Sequence, residues 1–220
     1  MDFPWDRITG EPLIYASMGT ILNGRPDVFR TIIAALAKHK NLQLVLSVGE
    51  QIDPQRLRAV PKNAIIVQRA PQLDLLKRAS VCITHAGLNT VLEALAQGVP
   101  QVAIPMAFDQ PGVAARIAHH RTGVVTSLDK LTADHLSELL NEVLNNSTYR
   151  NNAQRNATGD CRGKRIVRCR GYHRTVLRSE QKFAAVADSS RDSHLSGRTE
   201  VKGTNSAIHW VESEDTVLAP

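Results

Sequence analysis

Short apolar runs alternate with amphipathic segments through the first 155 residues of the chain. The runs predict six buried strands, and the segments between them carry apolar residues at helical spacing. The predicted strands are residues 12–17, 42–48, 64–68, 79–83, 98–104 and 123–125. Strands that alternate with helices predict a parallel sheet covered on both faces. The expected fold is therefore an α/β, Rossmann-like, doubly wound sheet of about six strands.

The predicted helices cover residues 26–39, 73–78, 90–97, 111–120 and 132–145. Most of them show an apolar stripe that should face the sheet. The stripes are Phe29, Ile32, Ile33 and Leu36; Leu92, Leu95 and Ala96; Val113, Ala114 and Ile117; and Leu136, Leu139, Leu140 and Val143. Thr132 is expected to cap the last of these helices, because a hydroxyl just before a helical stripe accepts from free backbone N–H groups.

This patterning stops near residue 155, which predicts a domain over 1–155 and an irregular, largely disordered tail over 156–220. Residues 156–170 lack helical periodicity and are dense in charge. With free codon choice, a one-base shift turns residues 156–177 into an amphipathic helical ending. We therefore hypothesise that the tail is a frameshifted product, which the nucleotide sequence of the gene tests directly.

Charge and cysteine content narrow the function classes. Residues 1–155 carry 16 Lys and Arg against 13 Asp and Glu, and residues 156–220 carry 11 against 8. Because the positive balance is spread evenly, it does not favour nucleic acid as a partner. Cys82, Cys161 and Cys169 have neither metal-ligand spacing nor a disulfide framework, and Cys82 is expected in the core. The adjacent His119 and His120 lack zinc-site spacing.

The start of the chain lacks a basic segment followed by an apolar one, so no secretory signal is expected. No apolar run approaches the length of a membrane span. A cytoplasmic location is the resulting expectation.

The most informative stretch is the loop between the predicted strand 79–83 and the helix 90–97. The N–H groups and dipole of a helix N-terminus favour an anion, and Gly87 should let the backbone turn tightly or let a ligand come close. His85, Asn89 and Thr90 add side-chain donors. The loop is therefore predicted to bind phosphate.

Acidic and amide side chains flank this loop. Glu93 follows one helical turn after Asn89, and Asp109 and Gln110 follow the fifth predicted strand. Ligands of open α/β sheets bind outside the carboxyl ends of the strands, where both loops lie. A carboxylate would repel phosphate, so these side chains are better suited to sugar hydroxyls.

These elements together resemble the nucleotide-sugar signature of family 1 UDP-glycosyltransferases. The matching segments are Ala70-Pro71-Gln72, Thr84-His85-Ala86-Gly87-Leu88-Asn89-Thr90, Glu93, Gly98-Val99-Pro100 and Asp109-Gln110. Residues 3–5, 15–20 and 109–118 are similar to the bacterial zeaxanthin glucosyltransferase branch. The resemblance runs from about residue 2 to 155 and implies the C-terminal, donor-binding half of a GT-B fold.

The resemblance assigns each matching position a role toward a UDP-sugar. The diphosphate is expected near Ser17, Gly19 and Thr20 and at His85, Gly87, Asn89 and Thr90. The uracil is expected at Ala70 and Gln72, with Arg69 where plant members have a Trp. The ribose is assigned to Glu93, and the transferred sugar to Asp109 and Gln110.

Simpler roles stay open for several of these residues. Ser17, Gly19 and Thr20 could form an ordinary turn, and Arg69 could be a surface residue. Asn89 and Thr90 could cap their helix, and Glu93 could be solvated. Asp109 and Gln110 could form a turn before Pro111.

By resemblance, the complete enzyme transfers a hexose, with glucose expected, to a hydroxyl of a lipophilic acceptor such as a carotenoid. It needs no metal or other cofactor, and it could contact a membrane peripherally. The family's catalytic base lies in an N-terminal domain to which no residue here corresponds, so no catalytic residue is assigned and the chain alone is expected to be inactive. The alternatives are a remnant that binds nucleotide only and, less favoured, a sugar-nucleotide epimerase.

Overall fold

The computed structural model describes residues 3–20 and 24–158. Six strands form one sheet: β1 (Leu13–Ser17), β2 (Gln43–Ser47), β3 (Ala64–Val67), β4 (Ala79–Thr84), β5 (Gln101–Ala103) and β6 (Gly123–Val125). The helices are α1 (Pro26–Ala37), α2 (Gln72–Leu76), α3 (Leu88–Ala96), α4 (Gln110–His119), α5 (Ala133–Asn145) and α6 (Ser147–Thr158). Every strand pairing is parallel, so the predicted α/β parallel sheet is confirmed.

The strand order β3-β2-β1-β4-β5-β6 creates one point where the direction of winding reverses, between β1 and β4. Ligands of such sheets bind in the crevice outside the carboxyl ends of the strands at that point. The register pairs Ser17 with Thr84, the last residues of the two strands. The loops that follow β1 and β4 therefore leave the sheet side by side.

Successive strand residues point to opposite faces, which gives the domain two hydrophobic layers. On one face Ile14 and Ala16 pack in a cluster with residues of α1 and α5. On the other face Tyr15 and Cys82 pack with Leu75 and Leu76 of α2 and with Ala94 of α3. The cluster that contains Tyr15 lies beneath the helices that carry Gln72 and Glu93. Cys82 is fully buried, as expected of a core residue.

The predicted stripe of α3 was wrong in part. The buried residues of this helix are Thr90, Val91 and Ala94, whereas Ala96 is exposed and Leu92 and Leu95 are half-buried. The helix begins at Leu88, two residues earlier than predicted, and it contacts α2 and α6 as well as β4. Because α3 has neighbours on several sides, its apolar residues do not form a single stripe.

The sequence pattern did not predict α6. This helix buries only Tyr149 and Ala153, so its periodicity is weak, and the Arg150 guanidinium holds it to the sheet through the Ser80 carbonyl oxygen at 2.6 Å. It continues to Thr158, past the predicted domain end at residue 155. The predictions about the tail beyond it, including Cys161 and Cys169, fall outside the described residues. Over the described ranges, no helix is long and apolar enough to cross a membrane.

The predicted cap of α5 is present and can be tested. The Thr132 hydroxyl accepts a hydrogen bond from the His135 backbone N–H at 3.2 Å. Thr132→Ala should lower the free energy of unfolding by about 1 kcal/mol, because that N–H loses its partner. Urea unfolding measures this loss. Ser147→Ala is the control, since Ser147 is exposed and forms no hydrogen bond through its hydroxyl with the described residues. Equal stability of the two variants would contradict the capping role.

Candidate functional site

The His85 imidazole lies between two glycines that come from different loops. A Cβ added to Gly19, in the loop after β1, would lie 2.6 Å from His85 Cε1. A Cβ added to Gly87, in the loop after β4, would lie 2.3 Å from His85 Nε2. Real Cβ atoms do not approach other atoms so closely, so the ring occupies space that only two glycines leave free. The structure thus brings predicted diphosphate residues of both loops together.

The tight backbone turn, one of the two roles expected of Gly87, falls on Ala86 instead. Gly87 has an ordinary extended backbone (φ −63°, ψ 132°), whereas Ala86 has a left-handed φ of 65°. The Ala86 backbone N–H donates to the Thr84 hydroxyl at 3.2 Å, which helps to hold this conformation. Gly87 is therefore required for the space that His85 fills, and its backbone freedom is not used.

The start of α3 presents free backbone donors beside His85. The first helical bond runs from the Val91 N–H to the Gly87 carbonyl at 3.1 Å, so the N–H groups of residues 88–90 have no partner within the helix. Gly87 is the N-cap and supplies no side-chain acceptor. Asn89 and Thr90 lie inside the first turn and do not cap it, Asn89 being exposed and Thr90 buried. This arrangement of N–H groups and helix dipole suits an anion.

The environment of His85 favours its neutral form. Burial lowers the pKa of His85 below its usual 6.5, while the Ser17 backbone and the Asp109 carboxylate oppose that shift. Its Nδ1 atom is buried and has no hydrogen-bonding partner among the described residues. An anion bound next to the ring would favour the protonated form and offset the cost of its burial.

Ser17 and Thr20 complete the loop after β1. Ser17 is buried at the strand end, and its hydroxyl accepts from the Gly19 N–H at a long 3.4 Å. Gly19 has a left-handed φ of 80°. Thr20 is exposed and is the last described residue before 24. The turn that was the simpler interpretation of these residues is therefore real, and it also carries one of the two glycines against His85.

Gln72 and Glu93 lie together where α2 contacts α3. Gln72 begins α2, and its Nε2 donates to Glu93 Oε2 at 2.5 Å and, at 3.4 Å, to the Thr90 hydroxyl. Its Oε1 accepts from the Tyr15 hydroxyl at 2.9 Å. Glu93 is half-buried, so it is not a freely solvated carboxylate. Gln72, which was assigned to the uracil, is thus in contact with the residue assigned to the ribose.

Arg69 is held away from α2 by an ion pair. Its guanidinium contacts the Glu50 carboxylate, which lies in the loop after β2, and its side chain is 65% exposed. Ala70 is half-buried against the cluster that contains Tyr15. Arg69 thus has the features of a surface residue with a partner, the simpler role left open for it.

Asp109 and Gln110 occupy different environments. Asp109 is exposed at the N-cap of α4, where its side chain caps nothing. Gln110 is 5% exposed, and its Oε1 accepts from the backbone N–H groups of Met106 and Ala107 at 2.8 and 3.0 Å. The Gln110 oxygen holds the turn before α4, which is the simpler role left open for this residue, and its assignment to the sugar stays a prediction. Only the Nε2 group stays available to a ligand.

Tyr15 is a site residue that the sequence analysis missed. It lies within an apolar strand run and was therefore treated as part of the core. The available signal was its position two residues before the end of β1, where a hydroxyl can reach the carboxyl edge of the sheet. His119 and His120 are exposed, and no group of three or more His, Cys, Asp or Glu among the described residues could hold a metal ion.

The lowered pKa of His85 predicts a pH dependence of stability. The unfolded chain binds the proton more tightly, so the free energy of unfolding should fall as the pH drops through 6.5 toward the lowered value. His39, whose pKa burial also lowers, acts in the same direction. His85→Gln should therefore lose less stability between about pH 7.5 and about pH 5.5 than the unaltered chain. Thermal unfolding at both pH values checks this, and identical losses would contradict it.

The family model described as UDP-glucoronosyl and UDP-glucosyl transferase matches residues 8–158. The chain is 39% identical over 148 residues to an uncharacterized UDP-glucosyltransferase, YdhE, of Bacillus subtilis, which covers 67% of this chain and 37% of that protein. It is 36% identical over 141 residues to the zeaxanthin glucosyltransferase of Pantoea ananas, with coverage of 63% and 32%. The chain thus spans about a third of the length of these curated relatives.

Two solved structures show the same fold. The calicheamicin glycosyltransferase CalG4 superposes with a TM-score of 0.67 at 28% identity, over 81% of this chain and 45% of that one. Os79 from O. sativa in complex with UDP gives a TM-score of 0.60 at 27% identity, over 67% and 36%. The family match begins before β1 and ends with α6, so it covers all six strands and the whole crevice. The chain therefore belongs to the UDP-glucoronosyl and UDP-glucosyl transferase family.

Proposed function

We propose that this domain binds a UDP-sugar at the crevice between β1 and β4, with the diphosphate on the start of α3. The observation that carries the proposal is the position of His85, which is wedged between Gly19 and Gly87 next to the free N–H groups of the helix. These donors would share the two negative phosphates without a metal ion. The similarity to Os79, whose structure was solved with UDP, supports the choice of nucleotide.

The proposed nucleoside end lies beside α2. Glu93 has one carboxyl oxygen engaged by Gln72, and the other would accept from the ribose hydroxyls. Ala70 would meet the uracil through its backbone. Arg69 would contribute stacking through the flat face of its guanidinium, which packs well on an aromatic ring.

The proposed sugar end lies beside the start of α4. The exposed Asp109 carboxylate would accept from the hydroxyls of the transferred hexose, and Gln110 Nε2 would donate to them. The Asp109 carboxylate acts on His85 by opposing the lowering of its pKa by burial, which supports placing the sugar beside the diphosphate. A hexose between these groups would present its anomeric carbon next to the leaving diphosphate.

For the whole enzyme we propose transfer of a hexose, with glucose favoured, to a hydroxyl of a lipophilic acceptor. The hydroxyl oxygen attacks the anomeric carbon, the bond to the diphosphate oxygen breaks, UDP leaves and a base takes the hydroxyl proton. The similarity to a zeaxanthin glucosyltransferase supports a carotenoid acceptor. Acceptor binding and the base are assigned to groups outside this domain, and a lipophilic acceptor would bring the enzyme to a membrane surface.

The alternative is a chain that binds nucleotide without catalysing transfer. It is favoured by the site itself, in which the groups described all serve the donor. A turnover assay with UDP-glucose and a dihydroxylated carotenoid separates the two. Carotenoid glucoside formed by this chain alone would contradict our assignment of the base to groups outside the domain.

Isothermal titration with UDP tests the binding proposal. UDP should bind more tightly than UMP, because the second phosphate adds contacts to the start of α3 and to His85. His85→Gln should weaken UDP binding by about 10- to 100-fold, which corresponds to one hydrogen bond to a charged group. The same substitution should weaken UMP binding by a smaller factor. No heat with UDP, or equal binding of UDP and uridine, would sink the proposal.

A second test uses the space that His85 occupies. Gly87→Ala places a Cβ on the imidazole without straining the backbone, because φ is −63° there. The ring must move, so UDP affinity should fall at least about tenfold, and thermal stability should also fall because the added Cβ is forced against a tightly packed ring. Gly112→Ala in α4 is the matched control, since the nearest side-chain atom would be Arg116 Nη1 at an ordinary 3.7 Å. Unchanged affinity in the Gly87 variant would mean that the position of His85 does not matter.

A further inference from the structure

We propose that Tyr15 is a positioning residue for ribose recognition. Its buried hydroxyl fixes the amide of Gln72, and Gln72 in turn holds Glu93 in the orientation that accepts ribose hydroxyls. This inference rests on the proposed function, because Glu93 has a ribose to bind only if the crevice takes a nucleotide. Tyr15 itself contacts no ligand in this scheme and acts through Gln72.

The sheet explains how a core tyrosine reaches the site. Tyr15 is 1% exposed and lies opposite Cys82 of β4 in the parallel register, on the face covered by α2 and α3. Its ring packs among apolar side chains, while its hydroxyl emerges at the first residue of α2, 2.9 Å from Gln72 Oε1. The rigid centre of the sheet thereby sets the position of a side chain in the short helix α2.

The other hydrogen bonds of the Gln72 amide determine which group donates in its contact with Tyr15. The Glu93 oxygen and the Thr90 hydroxyl both accept from Gln72 Nε2, so the amide oxygen must point toward Tyr15. The reversed amide would set its oxygen against the Glu93 oxygen at 2.5 Å. The Tyr15 hydroxyl therefore donates, and the chain of bonds runs from Tyr15 through Gln72 to Glu93.

Tyr15 keeps its proton over the working range of any assay. Burial raises the pKa of its hydroxyl, and the neighbouring Cys82 and Glu93 raise it further, against a smaller lowering by Ser17. Burial also raises the pKa of Cys82, to about 12, so that thiol is neutral. The donor that orients Gln72 is thus permanent.

Removing the hydroxyl should affect ribose recognition specifically. In Tyr15→Phe the Gln72 oxygen has no donor inside the protein, so the amide is free to turn toward water. Glu93 would then lose its fixed orientation, and its remaining oxygen would no longer be aimed at the ribose. Contacts to the diphosphate, which lie at His85 and the start of α3, should be unaffected.

The experiment compares UDP with 2′-deoxy-UDP and 3′-deoxy-UDP by isothermal titration on the full chain. The unaltered chain should prefer UDP to at least one deoxy form by about tenfold, the value of one good hydrogen bond to a charged group. In Tyr15→Phe that ratio should fall to about twofold or less, with deoxy-nucleotide affinity retained. A general structural defect would instead weaken all three nucleotides alike.

Tyr149→Phe is the matched control. It removes the hydroxyl of another buried tyrosine, which bonds a glutamate, Glu142, in helices α5 and α6. Its UDP to deoxy-UDP ratio should equal that of the unaltered chain. Gln72→Met provides a second variant should Tyr15→Phe fold poorly, because it breaks the same chain of bonds at its middle and should lower the ratio equally.

The outcomes separate the two proposals. No binding of UDP by the unaltered chain overturns the proposed function and this inference with it. Equal affinity of the unaltered chain for UDP and for both deoxy forms overturns the role of Glu93 and hence that of Tyr15. A normal ratio in Tyr15→Phe, or in Gln72→Met, overturns the positioning role alone and leaves UDP binding standing.

Discussion

The packing of one imidazole between two glycines is the constraint on which the crevice depends. The His85 ring fills the space where Gly19 and Gly87 would otherwise carry Cβ atoms, and these residues follow different strands. The contact is possible only because the parallel register ends β1 and β4 at the same level, with Ser17 opposite Thr84. A ring seated this tightly has little freedom to turn, so the fold of the sheet sets the position of His85 before any ligand arrives.

Around this ring the site separates donors from acceptors. The free N–H groups of α3 and the imidazole form the donor side. Burial lowers the pKa of His85, so its ring stays neutral until an anion is present. The carboxylates lie apart from these donors, Glu93 within α3 and Asp109 at the N-cap of α4, and both helices begin at the carboxyl edge of the sheet. Because a carboxylate next to phosphate would be repelled, this separation favours a ligand whose charge is central and whose hydroxyls are at both ends. A nucleoside diphosphate sugar has that distribution.

The sequence predicted the sheet well and the site only in part. Parallel strands buried on both faces are continuous apolar runs, so all six could be placed from hydrophobicity alone. The helix α6 has too few buried residues to give a periodic signal. A glycine indicates either an unusual backbone angle or a lack of space for a side chain, and the sequence cannot separate the two. In the structure Gly87 is needed for lack of space, whereas the unusual backbone angle falls on Ala86. Tyr15 was hidden because a hydroxyl at the end of a buried ring does not alter an apolar pattern.

The loop after β5 shows why a matching motif does not fix the role of every residue in it. Gln110 turns its oxygen onto the N–H groups of Met106 and Ala107 and so closes the turn that precedes α4. In that turn Phe108 takes a left-handed φ of 57° and is left 76% exposed, next to the exposed Asp109. A bulky residue at such an angle is strained, and the two hydrogen bonds that Gln110 accepts help to offset the strain. Gln110 thus holds the turn beside the proposed sugar end of the crevice through its oxygen, while Asp109 is the exposed side chain next to it.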